Sequence, residues 1–177
     1  MLPSESEYYE AIGRALTSWA DLENAVCLVF TRATIDDFSG TAEAAYWEVA
    51  SFEARLKMTD AAVQARYTKH PECLRLWKTL YNACNRRKRV RNKLAHGQLV
   101  SLGIPWDESK NERYFSPFYH KRLSRSIREA NAFQRDDHFT HVEKIYLKEI
   151  KNYEALFRSL YYRILSFSRA LPKAPYV

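Results

Sequence analysis

The residues best suited to chemistry lie together, as Arg91-Asn92-Lys93-Leu94-Ala95-His96-Gly97. Histidine titrates near neutrality and can move a proton. Arginine presents a fixed fork of donors to phosphate oxygens and to the charge that develops on them. Asparagine can hold a histidine tautomer or bind an oxygen. These types suit phosphodiester chemistry. On a helix Asn92 and His96 share a face, whereas Arg91 and His96 point about 140° from each other. A site using both is easier to build where two copies of the helix meet around a two-fold axis, each supplying an arginine and a histidine. The same residues also suit a plain helix end, since cations favour the C-terminal dipole and Gly97 reads as a C′ residue with positive φ.

Four long helices are expected to position these residues. The first, Glu5–Arg32, carries an apolar stripe of Ile12, Leu16, Trp19, Leu22, Val26, Val29 and Phe30, with Ser4 and Glu7 as a capping box. The second, Ala42–Lys69, carries Val49, Phe52, Leu56, Val63 and Tyr67 and ends at His70-Pro71. The third runs from Pro71 to His96 with Leu76, Leu80, Ala83, Val90 and Leu94, flanked by Trp77 and Cys84 and interrupted by Arg87. The last starts at a capping box, Thr140 to Glu143, and runs through Val142, Tyr146, Ile150, Tyr153, Phe157, Leu160, Ile164, Phe167 and Leu171 to Pro172 and Pro175. Between the third and last helices, Leu99–Ile104 and Tyr114–Tyr119 favour strands around a turn, and Lys121–Arg128 a short helix. The expected fold is all-α: a single domain, 1–177, built as an up-and-down bundle of four long helices with a hairpin or irregular insertion over about 98–137.

Composition agrees. Only 4 of 177 residues are glycine and 6 proline, which favours long helices over a many-turned sandwich or barrel. The longest apolar run, Ala25 to Phe30, is far short of the ~20 residues that span a bilayer. The start, MLPSESEYYE, lacks an apolar signal core, and Cys27, Cys73 and Cys84 form no paired framework, so a cytoplasmic chain with reduced thiols is expected. The net charge of +7 is uneven. Residues 1–60 carry −7, residues 61–135 carry +12 and residues 136–177 carry +2, and the peak is Arg86 to Lys93, where six of eight side chains are basic. That block suits phosphate contacts, and equally a solvated helix face.

RNKLAHG resembles the Rx4–6H motif of HEPN (higher eukaryotes and prokaryotes nucleotide-binding) domains, with a polar Asn92 directly after Arg91. The order of helices, the motif near the end of the third, and Ser51 to Ala62 (SFEARLKMTDAA) also resemble small prokaryotic members. The resemblance implies a metal-independent endoribonuclease without a cofactor, active as a homodimer with a composite site. It makes Arg91 and His96 the catalytic pair and Asn92 their polar support. It implies a toxin or phage-defence setting, with an antitoxin or regulatory protein as partner. It equally admits a non-catalytic HEPN module that binds nucleic acid or protein. In one toxin branch a tyrosine follows the histidine by two places; here Gln98 stands there, which counts against regulation by AMP transfer.

The candidate RNA-binding set is Arg86, Arg87, Lys88, Arg89 and Lys93. Arg87, on the apolar stripe, is either a snorkelling side chain or part of a dimer groove. Lys121, Arg122, Arg125 and Arg128 read first as a solvated face. Tyr114, Phe115, Phe118 and Tyr119 read first as packing residues, and second as a stacking platform for bases. His138 and His141 lack further ligands for a metal site, and there is no Gly-rich phosphate loop or nucleophile elbow.

Overall fold

The computed structural model describes residues 2–34, 40–104, 107–117 and 143–172. Over these the chain is mostly helical, with five helices and one small antiparallel sheet. In chain order they are α1 (Glu5–Thr34), α2 (Thr41–Glu48), α3 (Phe52–Arg66), α4 (Pro71–His96), β1 (Gly97–Ile104), β2 (Asp107–Pro117) and α5 (Leu147–Ala170). Among the described residues no helix is long and apolar enough to cross a membrane. The expected helix over Lys121–Arg128, the strand end at Phe118 and Tyr119, and His138, Thr140 and His141 lie outside the described residues.

The chain divides into two compact units: Met1–Leu16 with Arg89–Glu154, and Thr17–Lys88 with Ala155–Val177. In the second, Trp19 meets Phe52 and Phe157 edge-on at 4.8 and 5.2 Å. Trp77 is fully buried, stacks on Phe167 at 5.7 Å and donates to Asp60 Oδ1 at 2.8 Å. It takes the inward position expected of Leu76, which is 60% exposed. Glu23 and Arg55 form a nearly buried ion pair at 3.0 Å, and Arg55 lies over the Trp47 and Tyr46 rings. Arg32 Nη1 donates to the Ser168 carbonyl at 2.6 Å, across 136 residues.

The single helix expected over Ala42–Lys69 is two. Val49 leaves α2 in extended conformation, and Ser51 caps α3 with Oγ accepting from the Ala54 amide at 3.1 Å. A serine hydroxyl satisfies an orphan helix N–H better from outside the helix than within it, so it favours a new start over continuation.

In the first unit, the Ser4–Glu7 capping box forms in both directions, with bonds of 2.7 and 3.2 Å. Tyr8, Ala11 and Ala15 are buried there, while Ile12 and Leu16 are half-buried. Tyr8 Oη donates to the Arg113 carbonyl at 2.7 Å, and Arg113 donates back to the Pro3 carbonyl. β1 and β2 pair from Gly97↔Pro117 to Ile104↔Asp107, with an irregularity between Leu102 and Ile104. β2 therefore includes Asp107 to Asn111, expected as the turn. Val100, Tyr114, Phe115 and Ser116 are buried, so Tyr114 and Phe115 pack rather than offer a platform to bases. On its other edge, Phe115 exchanges two backbone bonds with Ile145, of 2.8 and 2.9 Å. Glu112 accepts from Lys144 and from the Tyr146 hydroxyl, each at 2.6 Å, which holds its carboxyl below the usual range. The last helix begins at Leu147, later than the expected Thr140–Glu143 box. The Tyr146 amide donates to Glu149 at 2.8 Å, so the capping carboxylate is Glu149.

Candidate active site

Pro71 opens α4, and 26 residues later the helix passes into β1 with no intervening loop: His96 is its last residue and Gly97 the first of the strand. The sequence places both ends of α4 correctly, but not the reason for Gly97. Gly40 is the positive-φ glycine among the described residues, and Gly97 is not in that region. Glycine is needed at 97 because of close approach. A Cβ there would lie 2.3 and 2.5 Å from Phe115 Cε1 and Cζ, and 2.9 Å from the Lys93 carbonyl oxygen.

The three candidate catalytic residues occupy two sides of α4. Leu94 is buried, at 3% exposure. On an ideal helix Arg91 lies about 60° from Leu94, and His96 about 160° from it. The burial follows: Arg91 is half-buried, while Asn92 and His96 are exposed. Arg91 Nε is buried and has no hydrogen-bond partner among the described residues. Its Nη1 donates to Asn92 Oδ1 at 3.3 Å. No carboxylate among the described residues pairs with Arg91. Asn92 is thus joined to Arg91 by a bond and to His96 only by the shared face. Among the described residues His96 has no side-chain bond, and nothing there brings its imidazole to Arg91.

The five candidate RNA-binding cations are not equivalent. Lys93 pairs with Glu143. Lys88 pairs with Glu53 at 2.8 Å, and Glu53 also holds Lys57 at 3.0 Å. Those two ammonium groups lower the Glu53 carboxyl to about 2. Arg87 is half-buried with an unpartnered Nε; burial, then the charges of Arg86 and Arg163, lower its pKa. Arg86 and Arg89 are exposed and have no ionic partner among the described residues. Glu53, Glu143 and Phe115 thus act on the motif's neighbourhood without any signal in the sequence: the two carboxylates reach their lysines across 35 and 50 residues.

The hairpin adds two further polar groups. Gln98 and Ser116 are cross-strand partners, and Gln98 Oε1 and Ser116 Oγ are buried without hydrogen-bond partners among the described residues. No group of three or more His, Cys, Asp or Glu among those residues could hold a metal ion. Comparison with protein-family models, curated proteins and solved structures finds no match to this chain.

Proposed function

We propose that this chain is a HEPN-type endoribonuclease that cleaves RNA without a metal, at a site composed from two copies. The observation that carries the reading is the state of Arg91: a half-buried guanidinium, five residues before an exposed helix-terminal histidine, with a buried unpartnered Nε and no acidic partner among the described residues. A cation of this kind is usually paired. Phosphate oxygens and the charge that develops on a phosphorane would complete it. The separation of Arg91 and His96 around α4 supports a second copy supplying one of them. The helices are then read as an up-and-down HEPN bundle, in a cytoplasmic toxin or phage-defence effector held by an antitoxin or regulatory protein.

The reaction is attack of the RNA's own 2′-OH on the adjacent phosphorus, with loss of the 5′-oxygen of the next nucleotide. The products are a 2′,3′-cyclic phosphate and a 5′-OH. His96 moves the proton, Arg91 stabilises the charge on the phosphorane, and Asn92 holds Arg91 through the bond seen at 3.3 Å. Arg86 and Arg89 would place phosphates. The test incubates purified protein with total RNA in EDTA, beside His96→Ala and Arg91→Ala. Cleavage by the wild type alone, ending in cyclic phosphate, is the expected result. Equally intact RNA in all three refutes the nuclease.

The ion pairs of Lys88 and Lys93 favour a second reading, a non-catalytic HEPN module, because they reduce the cationic surface left for RNA. Salt-dependent RNA binding without cleavage would select it.

A further inference from the structure

We propose that Phe115 is the positioning residue of His96, acting through Gly97; the role in catalysis rests on the nuclease reading, the geometry does not. His96 is exposed, ends its helix and has no side-chain bond among the described residues. The backbone that carries it therefore sets where its side chain starts, through the position of Cα and the direction of the Cα–Cβ bond. That backbone turns from helix to strand in one step, between His96 and Gly97. The turn is held on two sides. The Phe115 ring and the Lys93 carbonyl both occupy space that a Cβ at 97 would need, at 2.3 and 2.9 Å.

Phe115 is a firm stop rather than a flexible side chain. It is 3% exposed, stands opposite Leu99 in the ladder and is bonded to Ile145 through both its amide and its carbonyl. An aromatic ring has two χ angles and, once buried, little room to move. Gly97 must therefore lie flat against the ring, and the last turn of α4 meets the strand with the His96 Cα–Cβ bond set by that contact. A displacement of about 1 Å at such a group costs on the order of 100-fold in rate.

The experiment uses the full chain with 13C-labelled histidine, in the wild type, Gly97→Ala, Phe115→Leu and the double variant, with circular dichroism confirming the fold of each. The sequence has five histidines, and His96→Gln assigns the signal. Gly97→Ala pushes the junction off the ring and should move the His96 cross-peak, leaving the other assigned imidazoles in place. Phe115→Leu in the same chain should return it towards its original position, because the atoms that meet the new methyl group are gone. Under cleavage conditions, kcat of Gly97→Ala should fall at least tenfold at unchanged KM, and the double variant should recover at least threefold. An unmoved His96 signal in folded Gly97→Ala overturns the inference, whether or not the protein cleaves RNA. So does a double variant no closer to wild type than Gly97→Ala. Loss of cleavage by the wild type, with the His96 signal moving as expected, refutes the nuclease and leaves the positioning contact standing.

Discussion

Replacing Glu143 by glutamine should strengthen RNA binding and steepen its salt dependence. Glu143 pairs with Lys93, and the two side chains are 49% and 32% exposed. An exposed pair of this kind contributes about 0.2–1 kcal/mol to folding, so Glu143→Gln should stay folded. Its larger effect is to release one cation in the turn that ends at His96. Of six cations between Arg86 and Lys93, Lys88 and Lys93 are held by carboxylates, and Arg87 stands half-buried on the apolar stripe of α4, away from the exposed cations. Arg86, Arg89 and Arg91 remain. Three phosphate contacts on a single strand give a slope of about −2.1 in log K against log salt, and four give about −2.8. Between 50 and 200 mM salt, the loss of affinity should then grow from about 18-fold to about 50-fold. Fluorescence anisotropy with a short single-stranded RNA measures this, in the His96→Ala background so that the probe survives. An unchanged slope in Glu143→Gln refutes the claim that this carboxylate withholds Lys93 from RNA. A wild-type slope near −3.5 shows that both paired lysines already contact phosphate.

Two further outcomes test the packing around this helix. The Glu53 carboxyl is lowered to about 2 by Lys88 and Lys57, so its contribution to stability is complete above the unfolded value of about 4.3 and is lost as pH falls from there to about 2. An NMR titration of the glutamate side chains should show this low midpoint, and Lys88→Ala should raise it; a midpoint near 4.3 in the wild type denies the pairing. Trp77→Ala removes a fully buried ring and leaves Asp60 without its indole donor, so it should lower stability to urea by about 3–5 kcal/mol. A loss under about 1 kcal/mol would mean that the site collapses freely.

What was legible in the sequence was whatever local chemistry decides. Pro71 and the apolar period set α4 from its first residue to His96, and Ser4 with Glu7 announced the start of α1. Ser51 carried an equally local signal, but the apolar period runs through it and outweighs it on paper. Trp77 and Leu76 are adjacent on the helix and both apolar; only the partners Phe167 and Asp60 decide which turns inward. The same limit applies at the candidate site. The motif Arg91, Asn92 and His96 is visible in seven residues. The carboxylates that hold Lys88 and Lys93, and the ring that makes Gly97 necessary, come from residues far along the chain that no local pattern connects to it. Gly97 was expected to be special for its φ, and it is special for its neighbour.

The bonds that tie distant parts of the chain have a consequence for its biosynthesis. Tyr8 waits for Arg113, 105 residues later, and Arg32 waits for Ser168, 136 residues later. At a synthesis rate of roughly 5–20 residues per second, the Tyr8 contact is delayed by about 5–21 s after Tyr8 is made. One unit closes around residues near 113 and 145, the other around residues near 157 to 168. On the ribosome, then, neither unit can be completed early. Until α5 emerges, the face that α1 buries in the folded protein lacks the partners that α5 supplies.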